Sequence, residues 1–203
     1  MSMKSEAVFD MLYIGNKLQF KIEDFSLSEI NFFSYLSCLL SLYDGKMIDN
    51  WEYGFIKSSL GSPISTDLDK ALNALCSNGS LCKSEGVDGY YNLLPNGEKM
   101  LELYSTLYKF SWRIPYLEAS CKSLSLMPFG IVKDAISNEP VLKSANNTVN
   151  RRSLLEESNP ATKSLHNQFS LLKVALEDKF SDLLIPAVVW IESLNKENSV
   201  VRI

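Results

Sequence analysis

The residues most able to do chemistry are few and badly placed for it. The chain has four cysteines, Cys38, Cys76, Cys82 and Cys121, and a single histidine, His166. No two cysteines form a C-x-x-C pair, and the five residues between Cys76 and Cys82 match no common zinc spacing. Most have apolar neighbours within helical reach, so they read as reduced, structural thiols. A histidine-based triad or zinc site would have to be built on His166 alone. It lies beside Leu165 and Phe169 on a helical pattern, where a surface or core-edge role is expected. The chain contains no P-loop, dinucleotide fingerprint, nucleophile elbow or H-E-x-x-H. Paired carboxylates need no linear signature, and none can be named here. The expectation is a non-enzyme, with no catalytic residue, no cofactor and no metal.

The composition agrees. Of 203 residues, 46% are hydrophobic and the formal charge is −4, so a sizeable core and an ordered globular chain are expected. The longest apolar stretch, Leu183 to Ile191, is far short of the roughly 20 residues of a membrane span and contains Pro186. The start lacks an apolar secretory core, which points to the cytoplasm.

The charge is unevenly spread. Residues 1–110 hold 9 Lys and Arg against 14 Asp and Glu, a net −5, whereas residues 111–203 hold 11 against 10, a net +1. Eight of the nine glycines lie in the first 97 residues. Tight turns are therefore expected early and helices with looser connections later. This divides the chain into a region 1–110 and a helical region 111–203 with a polar loop around 137–160.

The elements that would position any site can be read in order. Met11–Ile14 and Leu18–Ile22 flank Gly15 and could pair as a short hairpin. Ser26-Leu-Ser-Glu29 is a capping box opening a helix to Tyr43, which Asp44-Gly45 ends. Trp51–Leu60 reads as a second short helix, and Ser65 caps a third carrying Leu68, Ala71, Leu72, Leu75 and Cys76. Leu81–Lys83 and Tyr90–Leu94 read as strands around a turn with two glycines. Pro95-Asn-Gly then opens a helix with the stripe Met100, Leu101, Tyr104, Leu107 and Tyr108. Beyond it, helices start at Pro115 and Pro128. After the polar loop, Leu165, Phe169, Leu172, Leu176 and Phe180 form a helical stripe suited to core or to a partner helix.

Three helices, a two-stranded wing and a helix opened by Pro-x-Gly resemble a winged helix-turn-helix within a mainly α (α+β) chain. A winged helix that reads DNA brings basic and amide side chains on its third helix to the major groove. Here that helix carries Asp67, Asp69 and Lys70, and the wing sets Lys83 against Glu85 and Asp88. The acidic helix reads either as a solvated face or as a protein-docking module, with Asp67, Asp69 and Lys70 at the interface. Trp190 is a further candidate anchor, and Arg151-Arg152 in the polar loop is the candidate nucleic-acid contact.

Tyr91-Asn-Leu-Leu-Pro-Asn-Gly-Glu-Lys99, Pro115-Tyr-Leu-Glu-Ala119 and Asn138-Glu-Pro-Val-Leu142 extend the resemblance. Over residues 28–142 the chain looks like the small winged-helix component of bacterial three-component, Lamassu-type defence systems. That resemblance implies an SMC-like ATPase and a nuclease effector as partners, with DNA touched mainly through them. A non-catalytic bridge between the two would follow. The alternatives are a winged-helix transcription regulator dimerising through residues 160–195, and a winged-helix subunit of a condensin-like SMC complex.

Overall fold

The computed structural model describes residues 3–148, 153–177, 180 and 182–200, with side chains to residue 196. It is mainly helical with a small antiparallel sheet. Helix α1 (Ser5–Ile22) leads through the two-residue strand β1 (Phe25–Ser26) into α2 (Leu27–Tyr43). A 3-10 turn (Ile48–Trp51) and the hairpin β2 (Ile56–Lys57) and β3 (Pro63–Ile64) follow. Next come α3 (Thr66–Ser77), β4 (Leu81–Lys83), β5 (Tyr90–Leu93) and α4 (Pro95–Ser105). The remaining helices are α5 (Tyr108–Ser111), α6 (Ile114–Lys122), α7 (Phe129–Ser137), α8 (Pro140–Asn146), α9 (Pro160–Leu176) and α10 (Leu184–Val200). The larger sheet runs β1-β5-β4, pairing Phe25 with Tyr91 and Cys82 with Asn92.

Three expected elements are corrected. The expected hairpin around Gly15 is the continuous helix α1. Gly15 is there for space rather than for a turn, because a Cβ would come within 2.7 Å of the Phe25 ring. The expected helix Trp51–Leu60 is instead the 3-10 turn followed by β2 and β3, which Gly61 joins at φ +81°. The polar loop contains α8, with Pro140 in its first turn and the Glu139 carboxylate accepting from the N–H groups of Val141 and Leu142. Pro fits a first helical turn because its missing N–H would have no partner there.

Other elements form as their residues dictate. Ser26 Oγ accepts from the Glu29 N–H at 3.3 Å, and the Ser26 N–H donates to Glu29 Oε2 at 2.7 Å, closing the capping box of α2. The α4 stripe is buried less than its spacing suggests: Tyr108 is 93% exposed, and Leu107 is also exposed.

One core runs through both halves of the chain. Phe9 of α1 stacks on Phe110, with ring centroids 4.7 Å apart, and Ser37 of α2 shares a hydrogen bond with Ser120 of α6. Tyr13 donates to Glu118 Oε2 at 2.5 Å. The change of composition near residue 110 is therefore not a gap in packing.

Candidate functional site

Helix α3 is set at its N-terminal end by α2. Asn31 of α2 donates through Nδ2 to the Leu27 carbonyl at 2.9 Å and accepts the Ser65 N–H through Oδ1 at 2.6 Å. Ser65 Oγ then accepts from the Asp67 N–H at 3.4 Å, capping the helix. Leu68, Ala71, Leu72 and Leu75 are buried, and α3 packs against α1 and α2. That packing turns Thr66, Asn73 and Ser77 outward, with Asp69 and Lys70 half exposed.

Asp67 is mostly buried along its own helix, and its Oδ1 lies 3.5 Å from Lys70 Nζ. The lysine charge is thus partly matched within α3. Desolvation pushes the Asp69 carboxyl above its ordinary range.

The β4–β5 turn adds further acidic side chains. The Ser84 N–H donates to the Tyr90 carbonyl at 2.8 Å, and Ser84 Oγ donates to Asp24 Oδ2 at 2.5 Å. At the tip, Glu85, Val87 and Asp88 are exposed, with Lys83 at the start of the turn. Among the exposed and half-exposed residues, helix and turn carry Asp69, Glu85 and Asp88 against Lys70 and Lys83, with Asp67 buried. Such a surface offers a phosphate backbone no net positive charge.

The other sequence candidates fall elsewhere. Trp190 is 2% exposed, and its ring sits 4.9 Å from that of Phe169, so it is packed within the chain and offers no anchor at the surface. Arg151 and Arg152 lie outside the described residues. His166 is exposed on α9. Cys38 and Cys121 are buried, and burial pushes both thiols up to about 12, which keeps them protonated and unreactive.

Sequence reasoning missed two buried polar networks that tie the halves together. In the first, Asp10 and Arg113 are wholly buried. Arg113 Nε donates to Asp10 Oδ1 at 2.8 Å, Nη2 donates to Oδ2, and Nη1 donates to the Trp51 carbonyl at 3.2 Å. The guanidinium also lies 3.8 Å from the Trp51 ring centroid. The Tyr53 hydroxyl donates to Asp10 and meets Ser34 Oγ. In the second, the Tyr35 hydroxyl donates to Glu139 Oε1 at 2.8 Å. Desolvation lifts the Glu139 carboxyl to about 7, against the opposing effect of its hydrogen bonds.

A signal for the first network was present in the sequence. Asp10 interrupts the apolar run Val8-Phe9-Asp10-Met11-Leu12, and Arg113 sits in Phe110-Ser-Trp-Arg-Ile-Pro. A lone charge in such a run must either be paired or break the pattern. Both networks are sealed from solvent and join elements of the two halves. No protein-family model, characterised protein or solved structure matches the chain.

Proposed function

We propose that residues 1–110 form a winged helix adapted to bind protein, and that the chain is a non-catalytic interaction subunit. Two features support the winged-helix reading. One is the element order α1-β1-α2-α3-β4-β5, and the other is the sheet order β1-β5-β4, in which the first strand closes against the wing. Residues 44–65, with their own hairpin, lengthen the connection between the second and third helices well beyond a tight helix-turn-helix turn. The observation that carries the functional reading is the accessible charge of α3 and the wing, Asp69, Glu85 and Asp88 against Lys70 and Lys83, where a DNA reader is basic.

The proposed partners are an SMC-like ATPase and a nuclease effector of a bacterial defence complex in the cytoplasm, which this subunit would bridge. The support is the short segments Tyr91–Lys99, Pro115–Ala119 and Asn138–Leu142. Each of them contains a helix start opened by proline: α4, which follows the end of β5, α6 and α8. No described helix is long and apolar enough to cross a membrane.

Affinity purification of the tagged chain from its native cell, followed by mass spectrometry, tests the proposal. Recovery of a large ATPase supports it, and Asp69→Lys combined with Asp88→Lys should reduce that recovery. Tight, steeply salt-dependent duplex binding by the purified chain would refute the protein-docking reading and favour a transcription regulator.

A further inference from the structure

The end of α2, the start of α6 and the last turn of α9 meet around a cavity of about 290 Å³. Pro115, Leu176 and Leu183 give it apolar walls, and the rings of Tyr43 and Tyr116 add aromatic ones. Both rings are held by packing within the chain. Tyr43 stands edge-on to Phe169 with centroids 5.7 Å apart, and Tyr116 stands edge-on to Trp112 at 6.0 Å. An apolar recess with a few convergent polar groups is the usual form of a small-molecule site.

Among the described residues that line the cavity, two are charged, and their charges are opposite: Asp44 and Lys173. They do not pair with each other. Asp44 Oδ2 accepts from the Tyr116 hydroxyl at 2.6 Å and lies 3.9 Å from Lys46 Nζ, while Oδ1 has no partner among the described residues. Lys173 Nζ lies 5.3 Å from the centroid of the Tyr43 ring and meets no carboxylate among the described residues.

This arrangement restricts what the cavity can hold. A lone cation would find the Tyr43 ring already facing an ammonium, and a lone anion would be repelled by Asp44. A zwitterion satisfies both groups, and an apolar side chain on it would cover Leu176 and Leu183. The volume sits at the lower end of the roughly 300–1,000 Å³ of ligand pockets, which suits one amino acid rather than a nucleotide.

We propose that this cavity binds a free α-amino acid with an apolar side chain, Asp44 holding its ammonium and Lys173 its carboxylate. The site uses no residue of α3 or the wing and is independent of the winged-helix reading.

Isothermal titration calorimetry on the full chain, with L-leucine and L-phenylalanine as probes, tests it. At least one should bind with a Kd of about 100 μM. Analogues that lack one charge should bind at least about tenfold more weakly: isoamylamine and isocaproate for leucine, phenethylamine and phenylpropionate for phenylalanine. That series is read on the wild-type chain and needs no variant to fold. Lys173→Met and Asp44→Asn should each weaken the amino acid by about the same factor, with the helical signal and Tm retained. No binding of either amino acid at about 5 mM overturns the proposal. So does an analogue without its amine or its carboxylate that binds as tightly as the parent, or a folded variant that keeps full affinity.

Discussion

Replacing Glu139 by glutamine should abolish most of the pH dependence of stability near neutrality. The carboxyl is wholly buried at the start of α8, and burial raises it to about 7 from an ordinary 4.5. A carboxyl raised on folding binds its proton more tightly in the native state than in the unfolded state. The stabilisation linked to that proton is complete below about 4.5 and is lost as the pH climbs through about 7. The shift corresponds to about 3 kcal/mol across that window, at about 1.4 kcal/mol per unit.

Glutamine carries no titrating proton. It still accepts from the Tyr35 hydroxyl through its carbonyl oxygen, but its NH2 cannot accept from a backbone N–H of α8 as the second carboxylate oxygen does. That loss costs about 1–3 kcal/mol. Urea titrations at several pH values between about 4.5 and 8 should therefore show a falling stability for wild type and a much flatter line for the variant. The variant should be the less stable protein at the acid end and should match or exceed wild type at the alkaline end. Two parallel lines would refute the reasoning, because the slope would then belong to other groups.

Other perturbations follow from the same structure. Asp10→Ala leaves the Arg113 guanidinium buried without its carboxylate and should cost about 3–5 kcal/mol by denaturant titration. Gly97→Ala places a Cβ within 2.5 Å of both Leu93 Cδ1 and the Ser80 carbonyl oxygen, so it should lower Tm clearly, by an overpacking cost of about 1–3 kcal/mol. Gly130→Ala, where nothing lies within 4 Å, is the control and should not. Ser26→Ala removes the capping box of α2 and should cost about 1 kcal/mol, measured as a shift in urea midpoint at constant m-value.

Local chemistry explains which elements were legible in the sequence. The capping box at Ser26, the cap at Ser65, the proline-opened helices and the β4–β5 turn depend on short-range patterns, and the structure has them. The errors arise where a residue answers to a distant neighbour. Gly15 looks like a turn until the Phe25 ring is placed against it. Trp51 and Phe55 have helical spacing, but Trp51 packs on Arg113 and the Phe55 carbonyl accepts from Leu154.

The charges of α3 and the wing could be counted from the sequence, but the burial of Asp67 could not, because it depends on how α3 packs. The Asp10–Arg113 and Tyr35–Glu139 pairs were hidden because their members lie about a hundred residues apart. Of the α9 stripe, Leu165 and Phe169 turn to the core and Leu172 and Leu176 are half-buried, whereas Phe180 lies beyond the end of the helix and is exposed. Which side of an amphipathic helix meets its own chain depends on where the other helices lie.

The pairing of Asp10 with Arg113, 103 residues apart, sets an order for folding during synthesis. Helix α1 emerges from the ribosome before α6, with a carboxylate in the middle of its apolar face. That charge stays in water until the arginine arrives, and Tyr13 likewise waits for Glu118. The N-terminal half therefore cannot settle into its final core as an independent early unit. Its packing is completed only once α6 has cleared the exit tunnel and brought Arg113 to Asp10.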